Sequence, residues 1–283
     1  MASAAGAALR AAAAKRRKLG AATGGAVVVI GGSGFIGTHV LMQLVAKGVP
    51  TVSVSRSGAA PKHLDKASWA EKVTWATGDA LDQASYAHHL RSTATRARAV
   101  VVCVGTPLAP NLDDEQAVTV NGSTNCAVLE AAARAGVDRV VLVSALVPQW
   151  APPGYANGKK MAEECVVKFV EGSSKARGAV VLKPGAMPGA VVGTKHTESG
   201  HSIPLAPLLA PVQWALSSSN PLGLDAAAKA AREAGQNLGV DVGSLLVPPV
   251  DVKVLATAAV DGATDDAFAG AITIRDAFDL TAE

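Results

Sequence analysis

Two apolar rhythms alternate along the chain. Short unbroken apolar runs, rich in valine, occupy 26–30, 52–55, 73–76, 99–104, 139–144 and 179–182. Their length and β-branched content predict strands buried on both faces. Between them, apolar residues recur at helical spacing over 39–46, 84–90, 119–135 and 155–170. Lys47-Gly48 and Gly136 supply helix ends. Strand and helix thus alternate from 26 to 183. That order predicts an α/β fold, a doubly wound parallel sheet with crossover helices on both faces. Beyond Gly185 the rhythm breaks. Residues 186–224 are rich in Pro, Gly and Ser and read as loops with a short helix. A helix is expected over 225–233. A second is expected over 250–260, starting near Asp251 after Pro248-Pro249, and a late strand over 272–274. The organisation read from this is a leader or tail (1–25), an α/β core (26–185), and a small C-terminal cap with the remaining core elements (186–283). Residues 203–216 read as part of the packed cap, with a substrate lid, a partner surface or a shallow membrane contact as alternatives.

Composition sharpens this picture. With 283 residues, 49% hydrophobic and 17% charged, the chain can bury a large core. No run reaches the roughly 18 apolar residues of a spanning helix; the 203–216 stretch is broken by Pro204, Pro207 and Pro211. The formal charge of +3 comes from the leader, which holds Arg10, Lys15, Arg16, Arg17 and Lys18. The remaining chain has 21 basic and 23 acidic residues, a net of −2, which leaves no footprint for nucleic acid. The first acid of the chain is Asp65. An Ala-rich, basic, acid-free leader has the composition of an organellar transit peptide. Cys103, Cys126 and Cys165 form an odd set without a CxxC pair, too few for a disulfide scaffold or a zinc site. They point to a reducing compartment, with Cys103 and Cys126 buried as small apolar groups. His88, His89, His196 and His201 lack metal-ligand spacing, so no metal is expected.

The chemistry begins at the first strand. Residues 27–37 read VVVIGGSGFIG. Gly31, Gly34 and Gly37 sit between a strand and a helix. The first permits a tight turn, the second lets a pyrophosphate approach the backbone, and the third lets helix and strand pack closely. Gly31, Ser33, Gly34, Phe35, Ile36 and Gly37 are therefore the expected phosphate end of a dinucleotide site, with the anion at the helix N-terminus. An NAD site places an acid at the end of the second strand to accept the ribose 2′-OH. This chain has Ser55-Arg56-Ser57 there. A guanidinium at Arg56, beside Ser57, suits a 2′-phosphate, so NADP(H) is the expected cofactor.

Further motifs resemble those of the short-chain dehydrogenase/reductase superfamily, in its atypical or extended branch, over roughly residues 25–280. GGSGFIG is similar to that branch's glycine motif. Gly78-Asp79-Ala80 resembles its adenine-side aspartate, and Val104-Gly105 the point where the fourth strand lines the cofactor. Asn121 resembles an asparagine of the next helix. Tyr155-Ala-Asn-Gly-Lys159 resembles YxxxK, with Ser144 eleven residues upstream, and Lys183-Pro184-Gly185 resembles Arg-Pro-Gly with Lys for Arg. The nearest likeness is to uncharacterised organellar proteins of plants and algae. Tyr155 and Lys159, four apart, share a helix face. A neighbouring ammonium lowers a tyrosine pKa, so Tyr155 is expected to exchange a proton with substrate oxygen. The resemblance implies that Lys159 holds the ribose hydroxyls and that Ser144 orients a substrate carbonyl. Trp150 is a candidate for lining the pocket. Two functions follow as expectations. One is an NADP(H)-dependent oxidoreductase of an organelle, mitochondrion first and plastid second. The other, from a looser resemblance, is a catalytically silent accessory subunit of respiratory complex I, held in a membrane-bound assembly.

Overall fold

The computed structural model describes residues 25–91, 97–106, 112–148, 151–173, 177–187, 191–192, 203–204, 247–268 and 270–281. Most of the leader, the expected 225–233 helix, Trp150, His196, His201 and most of 203–216 lie outside them. Nine strands are described: β1 (Val27–Ile30), β2 (Thr51–Ser55), β3 (Val73–Thr77), β4 (Ala99–Val102), β5 (Arg139–Val143), β6 (Gly178–Lys183), β7 (Val191–Val192), β8 (Ile203–Pro204) and β9 (Ile272–Asp276). The helices are α1 (Phe35–Ala46), α2 (Gln83–Leu90), α3 (Asp114–Val118), α4 (Thr124–Ala135), α5 (Pro153–Glu171), α6 (Val252–Thr264) and α7 (Ala277–Thr281). A wide-turn, π-helical segment, Thr119–Ser123, joins α3 to α4. Seven strands form one sheet in the order β3-β2-β1-β4-β5-β6-β9, every pair parallel. β7 and β8 pair antiparallel as a separate ribbon. The chain starts at the centre of the sheet, winds outward to β3, then returns past β1 to wind the other way. The switch between β1 and β4 opens a crevice at the carboxyl ends of those strands, where open α/β sheets bind ligands.

The period-2 side-chain alternation of strands divides the core into two layers. Val28, Ile30, Val100, Val102, Val140 and Leu142 face one side with Tyr86 and Leu90 of α2, Leu129 of α4, and Val166 and Phe169 of α5. Val27, Val29, Val101, Val141 and Val143 face the other with Leu41 and Leu44 of α1, Leu255 and Ala259 of α6, and Leu280 of α7. Each such fully buried side chain contributes about 1.5–3 kcal/mol. Both faces are covered, which is why these strands read as continuous apolar runs.

The helix expected over 119–135 differs in detail: it is α3, the wide turn and α4 in succession. The cysteine expectation is corrected. Cys126 of α4 and Cys165 of α5 are bonded as a disulfide, with Cα atoms 5.4 Å apart. Thirty-nine residues separate them in sequence, and only the packing of α4 on α5 brings them together. Cys103 carries a free thiol.

Candidate functional site

At the end of β1, Gly31 adopts φ +83°, a left-handed conformation that favours glycine. Its N–H donates to the Val54 carbonyl at 2.8 Å, and its carbonyl accepts the Gly34 N–H at 3.0 Å. A Cβ on Gly31 would lie 2.9 Å from the Cys103 carbonyl oxygen, so β4 seals the turn from behind. A Cβ on Gly37 would collide with the Gly31 carbonyl, which is why α1 can start flush against the strand. Gly34 is the exposed N-cap of α1, with no side chain capping the helix. Ser33 and Ile36 flank it half-buried, and Phe35 is exposed. The first N–H groups of α1 are thus left to an anion.

The ends of β2 and β3 meet beside this turn. The Gly78 N–H donates to the Ser55 carbonyl at 3.0 Å, and the Ser55 and Ser57 hydroxyls are 3.2 Å apart. Arg56 and Ser57 are exposed at the tip of β2. Asp79 is exposed too; its carboxylate accepts the Leu81 N–H at 2.9 Å and fixes the turn that follows. Ala80 is buried beneath it, and its carbonyl accepts the Tyr86 hydroxyl at 3.2 Å.

The other half of the crevice is built by β4, the wide turn and α5. Asn121 is fully buried. Its amide oxygen accepts the Thr106 N–H at 3.1 Å, and its amide nitrogen donates to the Ala117 carbonyl at 3.1 Å. These bonds fix the loop after Val104 and Gly105. A Cβ on Gly105 would stand 3.0 Å from Asn121 Oδ1 and 3.2 Å from Lys159 Nζ, so a side chain there would crowd both. Two more glycines let α5 approach. A Cβ on Gly122 would meet the Gly158 backbone at 3.1 Å, and one on Gly158 would meet the Ala117 carbonyl at 3.0 Å. The Asp114 carboxylate accepts the Gly154 N–H at 2.7 Å and anchors the start of α5. Tyr155 and Lys159 are both buried on this helix, with Nζ 5.7 Å from the phenol ring centroid. Among the described residues, no hydrogen bond or salt bridge engages the Lys159 ammonium.

Ser144 ends β5, and its N–H donates to the Leu182 carbonyl at 2.8 Å. Its hydroxyl donates to Glu163 Oε1 at 2.6 Å. Glu163 Oε2 accepts Lys183 Nζ at 3.0 Å. Pro184 is buried, and its carbonyl accepts the Leu146 N–H at 3.0 Å. Glu163 was not anticipated from the sequence. Its one signal is the spacing of four from Lys159, which reads equally well as a solvated helix face.

The profile of the NAD(P)H-binding family matches residues 31–168, from the glycine turn through most of α5. An uncharacterised chloroplastic protein of Arabidopsis thaliana is 31% identical over 250 residues, covering 87% of this chain and 73% of that one. The chain belongs to the NAD(P)H-binding family and has a fold of the short-chain dehydrogenase/reductase type. A second relative, MIOREX complex component 2 of Saccharomyces cerevisiae, is 40% identical over 67 residues, covering 23% of this chain and 24% of that one. Solved structures agree on the fold. UDP-glucose 4-epimerase from Brucella ovis, in complex with NAD, superposes with TM-score 0.59 at 20% identity, covering 88% of this chain and 76% of that one. WbmH from Bordetella bronchiseptica, in complex with NAD+, gives 0.53 at 18% identity, covering 88% and 74%.

The residues of this family member fit a nicotinamide dinucleotide. The glycine turn is a cradle that side chains would fill, and a buried ammonium beside Gly105 lacks an acceptor. Burial sets the proton affinities here. It pushes the Tyr155 phenol up to about 12 and the Lys159 ammonium down to about 8, with the Glu163 charge partly opposing the latter. The expected lowering of the tyrosine by its lysine neighbour is therefore corrected: desolvation dominates. Among the described residues, no His/Cys/Asp/Glu group could hold a metal ion, and no helix is long and apolar enough to cross a membrane.

Proposed function

We propose that this protein is an NADP(H)-dependent oxidoreductase of an organelle, acting on a carbonyl or alcohol substrate. The observation that carries the reading is Lys159. A buried ammonium without an acceptor, one helical turn beyond a buried tyrosine and against the bare backbone of Gly105, suits the hydroxyls of a cofactor ribose. The nicotinamide, when bound, supplies or accepts the hydride. Tyr155 gives the substrate oxygen its proton on reduction and takes it back on oxidation. The Gly31–Gly37 turn and the start of α1 hold the pyrophosphate. Asp79 and Ala80 flank the adenine side. Arg56, exposed where an NAD site would place an acid, takes the 2′-phosphate with Ser57 beside it. The chloroplastic relative supports an organelle and favours plastid over mitochondrion.

Calorimetric titration with NADPH and NADH tests the cofactor reading. NADPH is expected to bind more tightly. Arg56→Ala is expected to remove that advantage, worth about 1.5–3 kcal/mol for hydrogen bonds to a charged group, while leaving NADH affinity unchanged. Equal affinities in the parent protein would refute the NADP(H) assignment. Tight binding without turnover across a panel of alcohols and carbonyls would favour the silent-subunit alternative.

A further inference from the structure

Glu163 exchanges no proton in the tyrosine–lysine chemistry, yet its charge reaches Lys159 and its carboxylate holds Ser144. It lies four residues beyond Lys159 on α5, so the two share a helix face. Each carboxylate oxygen has its own donor: the Ser144 hydroxyl at 2.6 Å and Lys183 Nζ at 3.0 Å. Exposed ion pairs count for little, but the side chains of this one are only 24% and 25% exposed, and Ser144 is buried. A serine hydroxyl has one proton and two lone pairs. The short bond to a carboxylate commits that proton. Ser144 then meets any third group as an acceptor.

We propose that Glu163 is a positioning residue of this site: by taking the Ser144 proton it makes that hydroxyl an acceptor, so that the site selects a substrate carrying a hydroxyl donor. The inference rests on Ser144, Tyr155 and Lys159 being the reacting face. An alcohol can donate to Ser144; a ketone of the same shape has no proton to give, and meeting Ser144 lone pair to lone pair is repulsive. The same carboxylate bears on Lys159. Tyr155 and Glu163 face that ammonium from α5, the uncharged Asn121 from the wide turn, and the Gly105 backbone from the loop after β4; Lys183 of β6 meets Glu163. Removing the Glu163 charge lets burial push Lys159 lower still.

Two measurements test this. First, Lys159 is titrated by NMR in protein labelled with carbon-13 at the lysine Cε, using Lys159→Arg to identify its signal. In Glu163→Gln the midpoint falls by about half a unit or more, and Glu163→Asp restores most of it. Because Glu163→Gln leaves Lys183 without its partner, the double variant with Lys183→Met serves where the single one does not fold. An unmoved Lys159 midpoint in a folded variant with parental NADPH affinity overturns the proposal. Second, cyclohexanol and cyclohexanone are compared on the NADP+-loaded protein by saturation-transfer NMR. The alcohol binds several-fold better, and Glu163→Gln removes the difference. Equal binding of the two by the parent, or a preference that survives the substitution, also overturns it. Binding of neither probe counts against the carbonyl/alcohol reading of the site, and the Lys159 titration then decides on Glu163 alone.

Discussion

Burying the Lys159 ammonium without an acceptor holds its pKa down at about 8, against 10.5 for a free lysine. Between these values the unfolded chain binds a proton that the folded chain does not. Unfolding then takes up a proton, so stability rises with pH through that window. Below pH 8 both states are protonated and the cost is fully present, on the order of 3 kcal/mol. Lys159→Met is expected to be more stable than the parent at pH 7, with the difference shrinking as pH rises from 8 to 10. Urea unfolding at several pH values checks this; a constant difference would show that Lys159 is not desolvated as described. Tyr155 and Tyr86 act in the opposite sense at higher pH. Burial holds both near 12, so the folded chain keeps protons that free phenols release near 10, and stability falls above that point. For the reaction, Tyr155→Phe removes only the proton donor. Turnover is expected to fall about 100- to 10,000-fold with NADPH affinity nearly unchanged. Full activity in the Phe variant would remove Tyr155 from the role.

At the scale of elements, the contact of α3, the wide turn and α4 with α5 organises the reacting half of the site. Gly122 and Gly158 bring the backbones together, Asn121 braces the loop at Gly105, and the Cys126–Cys165 disulfide ties α4 to α5. Closing a loop of that size stabilises a fold by about 2–4 kcal/mol, mainly by restricting the unfolded chain. Cys165→Ser is expected to lower the urea midpoint accordingly and to leave NADPH affinity within about twofold. A midpoint unchanged from the parent would mean that the bond contributes nothing, and peptide mapping without reductant checks that it forms. The strands were legible in the sequence because a sheet covered on both faces needs unbroken apolar runs, and β1, β4 and β5 are such runs. The glycine turn was legible because its steric demands are local. The break in the 119–135 helix was not, since a wide turn keeps the apolar residues on nearly the same face. The disulfide and the Ser144–Glu163–Lys183 group escaped for a different reason. The disulfide depends on α4 packing on α5, and the other group on β5, α5 and β6 meeting; nothing in the spacing of Cys126 and Cys165, or of Ser144 and Lys183, announces either.

At the scale of the whole molecule, charge separates the chain into two parts. Residues 1–25 carry five basic groups and no acid, whereas the remainder is slightly acidic. The described sheet opens at Val27, whose N–H donates to the Pro50 carbonyl at 2.9 Å. An Ala-rich basic segment ahead of a folded core is the arrangement that organellar import uses. The disulfide agrees with a destination where thiols can be oxidised, in place of the reducing compartment expected from cysteine count. The leader is therefore expected to act as an address and to have no role in the cofactor site. In a plant cell, which offers both mitochondria and plastids, residues 1–25 fused to a fluorescent protein should carry it into one organelle, with plastid favoured by the chloroplastic relative. The chain lacking 1–25 should stay in the cytosol, and the purified truncated protein should bind NADPH as the full chain does. A truncated chain that still reaches the same organelle would strip the leader of that role. A truncated chain that reaches the cytosol but loses NADPH affinity would show that the leader also contributes to the fold.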